Sequence, residues 1–190
     1  MLREVLPFYY ETKLAQNKSA LRQRAGANRI HWWALIRERT WQWKRIPKIV
    51  TKYFGERGSF AYDGIGKFVI LQGFAWLWKS NIMDVVDFYE SELPFAYVAV
   101  LNSSLFELLL DTACPRVQGG QFDLSPRFIS GIRLPNLADD MRYPGEIIRE
   151  LVNHGRSLSD GKKIDYSQLT ELTARVYGID QPTIAELGLA

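Results

Sequence analysis

Apolar positions along this chain change their spacing several times, and each change predicts an element. From Phe8 to Ala25, Phe8, Leu14 and Leu21 alternate with Lys13, Lys18, Arg22 and Arg24, and Gly26 follows, which predicts one basic helix. Ile49, Val50 and Tyr53 behind Pro47 predict a short strand within Ile46 to Tyr53. Phe60 to Tyr62 and Phe68 to Leu71 flank Asp63-Gly64-Ile65-Gly66, the pattern of a β-hairpin. Gly73 to Lys79 is aromatic and reads equally as strand or loop. Behind Pro94 the run FAYVAVLNSSLFELLLDTA predicts a buried helix broken near Asn102, with a capping box from Ser104 to Glu107 and a stop at Pro115. Gly119-Gly120 allows positive φ, and Phe122 to Pro135 reads as short extended pieces. Tyr143 to His154 and Tyr166 to Tyr177 predict two amphipathic helices joined by a polar loop from Gly155 to Lys163, together a helical hairpin.

Composition narrows the class. The chain has 190 residues, 47% hydrophobic and 24% charged, enough to bury a core without staples. One cysteine, Cys114, excludes an internal disulfide, and with only His31 and His154 beside it no metal-ligand cluster can be spelled. No apolar stretch reaches the length of a membrane span and the N-terminus lacks a signal-peptide core, so the expectation is a soluble cytoplasmic protein with no membrane partner.

Charge is uneven. Residues 1–57 carry a net +9, while residues 58–138 and 139–190 carry −3 each. A basic segment of this kind expects a polyanion. It overlaps the oddest composition in the chain, His31 to Trp43, which holds four of the six tryptophans. Arg37, Arg39, Lys44, Arg45, Lys48 and Lys52 interleave with these aromatics, the mixture that phosphate and base contacts both use. Burial of most of the tryptophans in a core and a merely solvated basic face are the plain alternatives.

Catalytic motifs are not assembled. Gly64-Ile65-Gly66-Lys67-Phe68 lacks the spacing and hydroxyl of a phosphate-binding loop. The Asn-Pro-Pro-aromatic loop of adenine methylation and its donor-binding glycine turn are both missing. Asp160-Gly161-Lys162 matches a nuclease triplet but sits in a polar loop, and nothing local activates Cys114. No catalytic residue, metal or cofactor is expected.

One ordered set of segments points further. HWWALIRERTWQW, KRIPKIVTKYF, GSFAYDGIGKFV, AYVAVLNSSLFELLL and VQGGQFDLSPRFISGIRLP span about residues 7 to 137. Together they resemble the C-terminal specificity region of adenine-specific DNA methyltransferases of restriction-modification systems, the Eco57I-like and TaqI-like group. The marks are Pro47-Lys48-Ile49, Phe60 to Asp63, Leu101-Asn102-Ser103, Gly119-Gly120 and Leu134-Pro135. The resemblance implies an α+β fold: an irregular twisted β core fed by residues 46–71 and 120–135, packed on the helix near 95–111, with a C-terminal helical hairpin. It divides the chain into a target-recognition core, residues 1–138, and the hairpin, residues 139–190, packed on or beside it.

The implied function is non-catalytic, sequence-specific binding of double-stranded DNA beside a methyltransferase catalytic domain supplied in cis or in trans. The expected contacts are Arg37, Arg39, Lys44, Arg45, Lys48 and Lys52, with Arg116, Arg127 and Arg133 behind them. The rival is a protein-interaction module that docks on a methyltransferase or restriction subunit through the hairpin; an exposed stripe of Ile147, Ile148, Leu151 and Val152 would favour it.

Overall fold

The structure, a computed structural model, describes residues 2–5, 7–24, 31–32, 45–57, 59–70, 72–78, 91–117, 119–139 and 142–189. The chain forms two compact units, residues 1–43 and residues 44–190. In the first, the single helix expected from Phe8 to Ala25 is replaced by short helical pieces: α1 (Leu2–Val5), α2 (Pro7–Tyr9), a π-helical turn over Tyr10–Ala15, and α3 (Lys18–Arg22). The break falls at Asn17, whose backbone leaves the helical region and whose side-chain amide donates to the Lys13 carbonyl. A side chain that competes for backbone carbonyls in this way interrupts the helical ladder. Ala25 itself lies outside the described residues, as do Trp33, Trp41 and Trp43. Trp32 is half-buried, edge-on to Tyr10 at 6.2 Å and beneath the Lys18 ammonium at 5.5 Å.

The second unit is mixed α and β with small antiparallel sheets. β1 (Lys48–Thr51) lies between β3 (Phe60–Asp63) and β4 (Phe74–Trp76), while β2 (Phe54–Gly55) pairs with β5 (Phe122–Asp123). The strand expected behind Pro47 is present, and the ambiguous aromatic stretch after Gly73 contains β4. The hairpin is corrected: β3 does not turn back onto Phe68 to Ile70, which are not strand, but pairs with β1, Ile49 opposite Tyr62 and Thr51 opposite Phe60. With the two-residue alternation of a strand, Ile49, Thr51, Phe60 and Tyr62 share one face. That face meets the helices, with Tyr62 against Phe95 at 5.1 Å and Phe60 against Phe106 at 5.8 Å.

The central helix is α4 (Leu93–Leu101), buried at every position except the half-buried Phe95. A helix apolar on all sides has to be covered on all sides. The break near Asn102 is real: α4 and α5 (Ser104–Ala113) meet at 63°. The cap is Ser103, one residue earlier than the expected Ser104; its Oγ accepts from the Phe106 N–H and donates to the Val100 carbonyl. Glu107 does not complete a capping box but faces Arg57 at 3.5 Å. Asn102, 1% exposed, joins the layers: its Nδ2 donates to the carbonyls of Phe60 (2.9 Å) and Val98 (2.8 Å), and its Oδ1 accepts from the Phe60 N–H (3.2 Å). One side chain thus serves β3 as a neighbouring strand would.

Beyond Cys114, Gly119 and Gly120 take φ of 92° and 80°, as their sequence allows. The stretch from Phe122 to Pro135 is only partly extended: after β5 the chain makes a helical turn, α6 (Pro126–Ile129), since proline suits the first position of a helix. α7 (Gly145–Ser159) and α8 (Tyr166–Tyr177) follow, then α9 (Gln181–Glu186). The expected loop at Gly155 is helix instead. Gly155 lies where α7 presses against α4, and a Cβ there would collide with the Phe95 carbonyl. Leu151, Val152, Leu169, Leu172 and Val176 belong to the same core as α4. No single helix among the described residues is long and apolar enough to cross a membrane.

Two substitutions test this frame. Asn102→Ala strands the Phe60 N–H and C=O inside the protein and should lower stability by about 2–4 kcal/mol. Gly155→Ala raises helix propensity, yet overpacking against Phe95 should make it net destabilising by about 1–3 kcal/mol. Denaturant unfolding of both variants is the measurement; a neutral or stabilising Gly155→Ala would contradict the close α4–α7 approach.

Candidate nucleic-acid interface

On the face of β1 and β3 turned away from α4, Lys48 stands opposite Asp63 and Val50 opposite Ala61. The Lys48 ammonium and the Asp63 carboxylate are 2.7 Å apart, with side chains 5% and 2% exposed. Charges so enclosed persist only when paired and hydrogen-bonded. Asp63 meets this by accepting three times: from Lys48 Nζ, from the Lys67 N–H at 2.9 Å and from the Phe68 N–H at 2.9 Å. Burial alone pushes the Asp63 pKa up, but Lys48 and the two amides outweigh it and hold the carboxyl below its ordinary range.

The carboxylate thereby grips the loop of residues 64–70 by its backbone. Two glycines seat the ends. Gly66, at φ 63°, rests on the backbone of Arg45 and Ile46, and Gly73, at φ 137°, rests on Thr51 and Lys52; a side chain at either would strike main chain. The loop displays Ile65 (76% exposed), Phe68 (60%) and Val69 (45%) to solvent. Beside it runs a groove of about 530 Å³, lined by Val50, Lys52, Ala61, Phe68, Val69 and Gln72 among others, with no carboxylate among the described residues of its wall.

The sequence-derived contact residues divide accordingly. Arg37, Arg39 and Lys44 lie outside the described residues. Arg45 and Lys52 are exposed, one at each foot of the loop, and Lys52 lines the groove. Lys48 is corrected from a phosphate-facing cation to a buried structural one, because the register of β1 sets it opposite the Asp63 carboxylate. Arg116 pairs with Asp111 at 2.7 Å, donates to the Gly120 carbonyl and covers the Phe122 ring at 4.3 Å. Arg127 pairs with Asp123 at 3.2 Å, and its guanidinium lies 4.4 Å from the centre of the Phe128 ring. These two surround β5 and the structure does not place them on the groove. Arg133 is exposed, and its carbonyl accepts from the Tyr177 hydroxyl.

Sequence reasoning missed Ile65, Lys67, Phe68 and Val69, which it had enclosed in a hairpin. It also passed over Arg57, which donates to Ser104 Oγ at 2.7 Å, faces Glu107 and lies 4.6 Å over the Tyr166 ring, fastening the β2–β3 turn to α5 and α8. The stripe proposed for docking is turned inward: Ile147, Leu151 and Val152 are buried and Ile148 is half-buried.

Burial, reinforced by the Asp123 charge, raises the Cys114 thiol pKa, which keeps it from the thiolate form a nucleophile needs. Tyr97 is pushed up to about 12 by burial; its hydroxyl donates to the Pro135 carbonyl and accepts from the Leu137 N–H, tying the Leu134-Pro135 segment to α4. Asp160 and Lys162 form an exposed ion pair at 2.8 Å. Among the described residues no group of three His, Cys, Asp or Glu side chains could hold a metal ion. No protein-family model matches the chain, and no curated protein sequence matches it.

The Lys48–Asp63 pair generates a signed prediction. Lys48→Met or Asp63→Asn alone leaves one member of a buried ion pair uncompensated and should cost about 3–5 kcal/mol. Combining the two should cost less than their sum, a coupling that a double-mutant cycle reads directly. Because the folded-state pKa of Asp63 is depressed, its contribution is complete above the ordinary carboxyl value of 3.8 and is lost as pH falls through the folded pKa. Thermal melts across acidic pH should therefore be less pH-dependent in the double variant than in the parent.

Proposed function

We propose that this chain recognises double-stranded DNA and carries no methyl-transfer chemistry of its own. More narrowly, it is the target-recognition region of an adenine-specific DNA methyltransferase, with a specificity-domain-like fold, working in the cytoplasm beside a catalytic domain in cis or in trans. The observation that carries the reading is the groove beside loop 64–70: Arg45 and Lys52 stand at the loop's two feet, and among the described residues no carboxylate lines the groove. Exposed cations along such a surface attract phosphates, and adjacent apolar side chains provide surface for bases.

The resemblance supports it from another direction, since its marks coincide with joints of this fold. Asn102-Ser103 is the helix break, Gly119-Gly120 the left-handed turn, and Pro135 the acceptor of Tyr97. Arg37 and Arg39 remain the proposed base readers, and Lys44, Arg45 and Lys52 the phosphate contacts. Arg116, Arg127 and Arg133 stay secondary, the first two already holding carboxylates. The rival docking module loses its specific support with the hairpin stripe buried in the core.

Three measurements test the proposal. Replacing Arg45 and Lys52 together with Gln should weaken binding to every duplex and flatten the dependence of log affinity on log salt by nearly two units, about 0.9 for each phosphate no longer neutralised. An arginine that reads guanine should behave differently: Arg37→Ala or Arg39→Ala should cost about 1–3 kcal/mol on the preferred site and little on random duplex. Salt-dependent affinity without any slope change in the folded double-Gln variant would move phosphate binding away from this groove. Calorimetry with the methyl donor should show no saturable binding, and its appearance would overturn the non-catalytic reading.

A further inference from the structure

Three large apolar side chains in one short loop, exposed by 45% to 76%, are costly to leave in water unless something covers them. Here they do not belong to a collapsing or loosely held segment. Asp63 holds the backbone N–H groups of Lys67 and Phe68, Lys48 neutralises Asp63, and Gly66 and Gly73 seat the ends on the backbone of residues 45–46 and 51–52. The loop is therefore preorganised, with its apolar side chains outward.

Its surroundings indicate what would cover it. Arg45, Lys52 and Lys67 are exposed, and among the described residues none of them is ion-paired to a carboxylate; the one carboxylate of β3, Asp63, is neutralised by Lys48. Apolar surface on a loop that itself carries Lys67, adjoins the Arg45 backbone at Gly66 and borders a groove lined by Lys52 with no acid among its described residues complements a partner that offers apolar edges between rows of negative charge. A DNA duplex is such a partner: phosphates line the groove, and thymine methyls and base edges form its floor.

We propose that loop 64–70 is the element that reads bases by apolar contact, with Ile65, Phe68 and Val69 laid against base edges while Arg45 and Lys52 hold phosphates on either side. This rests on the DNA-recognition reading above and assigns to one loop a share of the specificity that charge alone cannot supply. Phosphate contacts set affinity for any duplex and its salt dependence; apolar contacts to base edges depend on sequence and release no counterions.

The test uses the full chain and fluorescently labelled duplexes with a randomised centre, from which a preferred duplex is selected. Affinities for the preferred duplex and the unselected pool are then measured at several salt concentrations. Phe68→Ser combined with Val69→Ser, and separately Ile65→Ser, replace exposed side chains, so thermal melts should show both variants folded. Each should lose about tenfold or more on the preferred duplex, equivalent to about 1.4 kcal/mol, and far less on the pool, with the salt slope unchanged. Folded variants that bind the preferred duplex as the parent does would overturn the proposal and leave the loop as a surface for a protein partner. Equal losses on all duplexes with a flattened slope would overturn it as well, by making the loop an accessory to phosphate binding. If the parent itself shows no saturable, salt-dependent binding to any duplex, the DNA-recognition reading fails and this inference falls with it, a result distinct from both others.

Discussion

Phe60 opens a strand at the edge of a three-stranded sheet, and both of its backbone hydrogen-bonding groups would be buried beneath the helices without a partner strand to meet them. Asn102 supplies that partner from the break between α4 and α5. A carboxamide offers the donor and acceptor of a peptide group, so one side chain can end a sheet inside a protein. Much follows from this arrangement. The break must fall where it does, α5 must leave α4 at a steep angle, and the Phe60 ring must lie between Trp76 and Phe106. The sheet is thereby fixed to the helical layer, and its other face is left to carry loop 64–70.

The elements legible in the sequence were those governed by local rules. Pro47 and the β-branched residues after it marked β1, Asn102 and Pro115 marked where helices stop, and Gly119-Gly120 marked a turn that needs positive φ. What was not legible depended on distant partners. Phe60 to Tyr62 and Phe68 to Leu71 have hairpin spacing, but nothing local says that β1 offers β3 a better surface. Gly155 resembles a helix stop, yet its role is to admit the Phe95 carbonyl from a helix far earlier in the chain.

The candidate interface was half legible for a related reason. A run of cations shows how much charge is present and not which way each side chain points. Within the β1 to β3 region, Lys48 is paired with Asp63 and covered on the sheet face turned away from α4, Arg57 is spent on Ser104 and Glu107, and Arg45 and Lys52 stay exposed. The formal excess of residues 1–57 therefore overstates what this surface presents. Conversely, the exposed apolar loop had no compositional signature, because Phe68 and Val69 look like core residues until the Asp63 carboxylate is seen holding the loop backbone outward.

The way Asp63 holds that loop bears on how such a surface can change over time. Its carboxylate accepts from amide N–H groups that every residue except proline possesses, so the conformation does not depend on which side chains stand at positions 67 and 68. Position 66 is constrained to glycine, and 48 and 63 are constrained to each other. Positions 65, 68 and 69 are then interchangeable mounts on a fixed frame, where substitutions can accumulate and alter what the loop touches without first having to rebuild its shape.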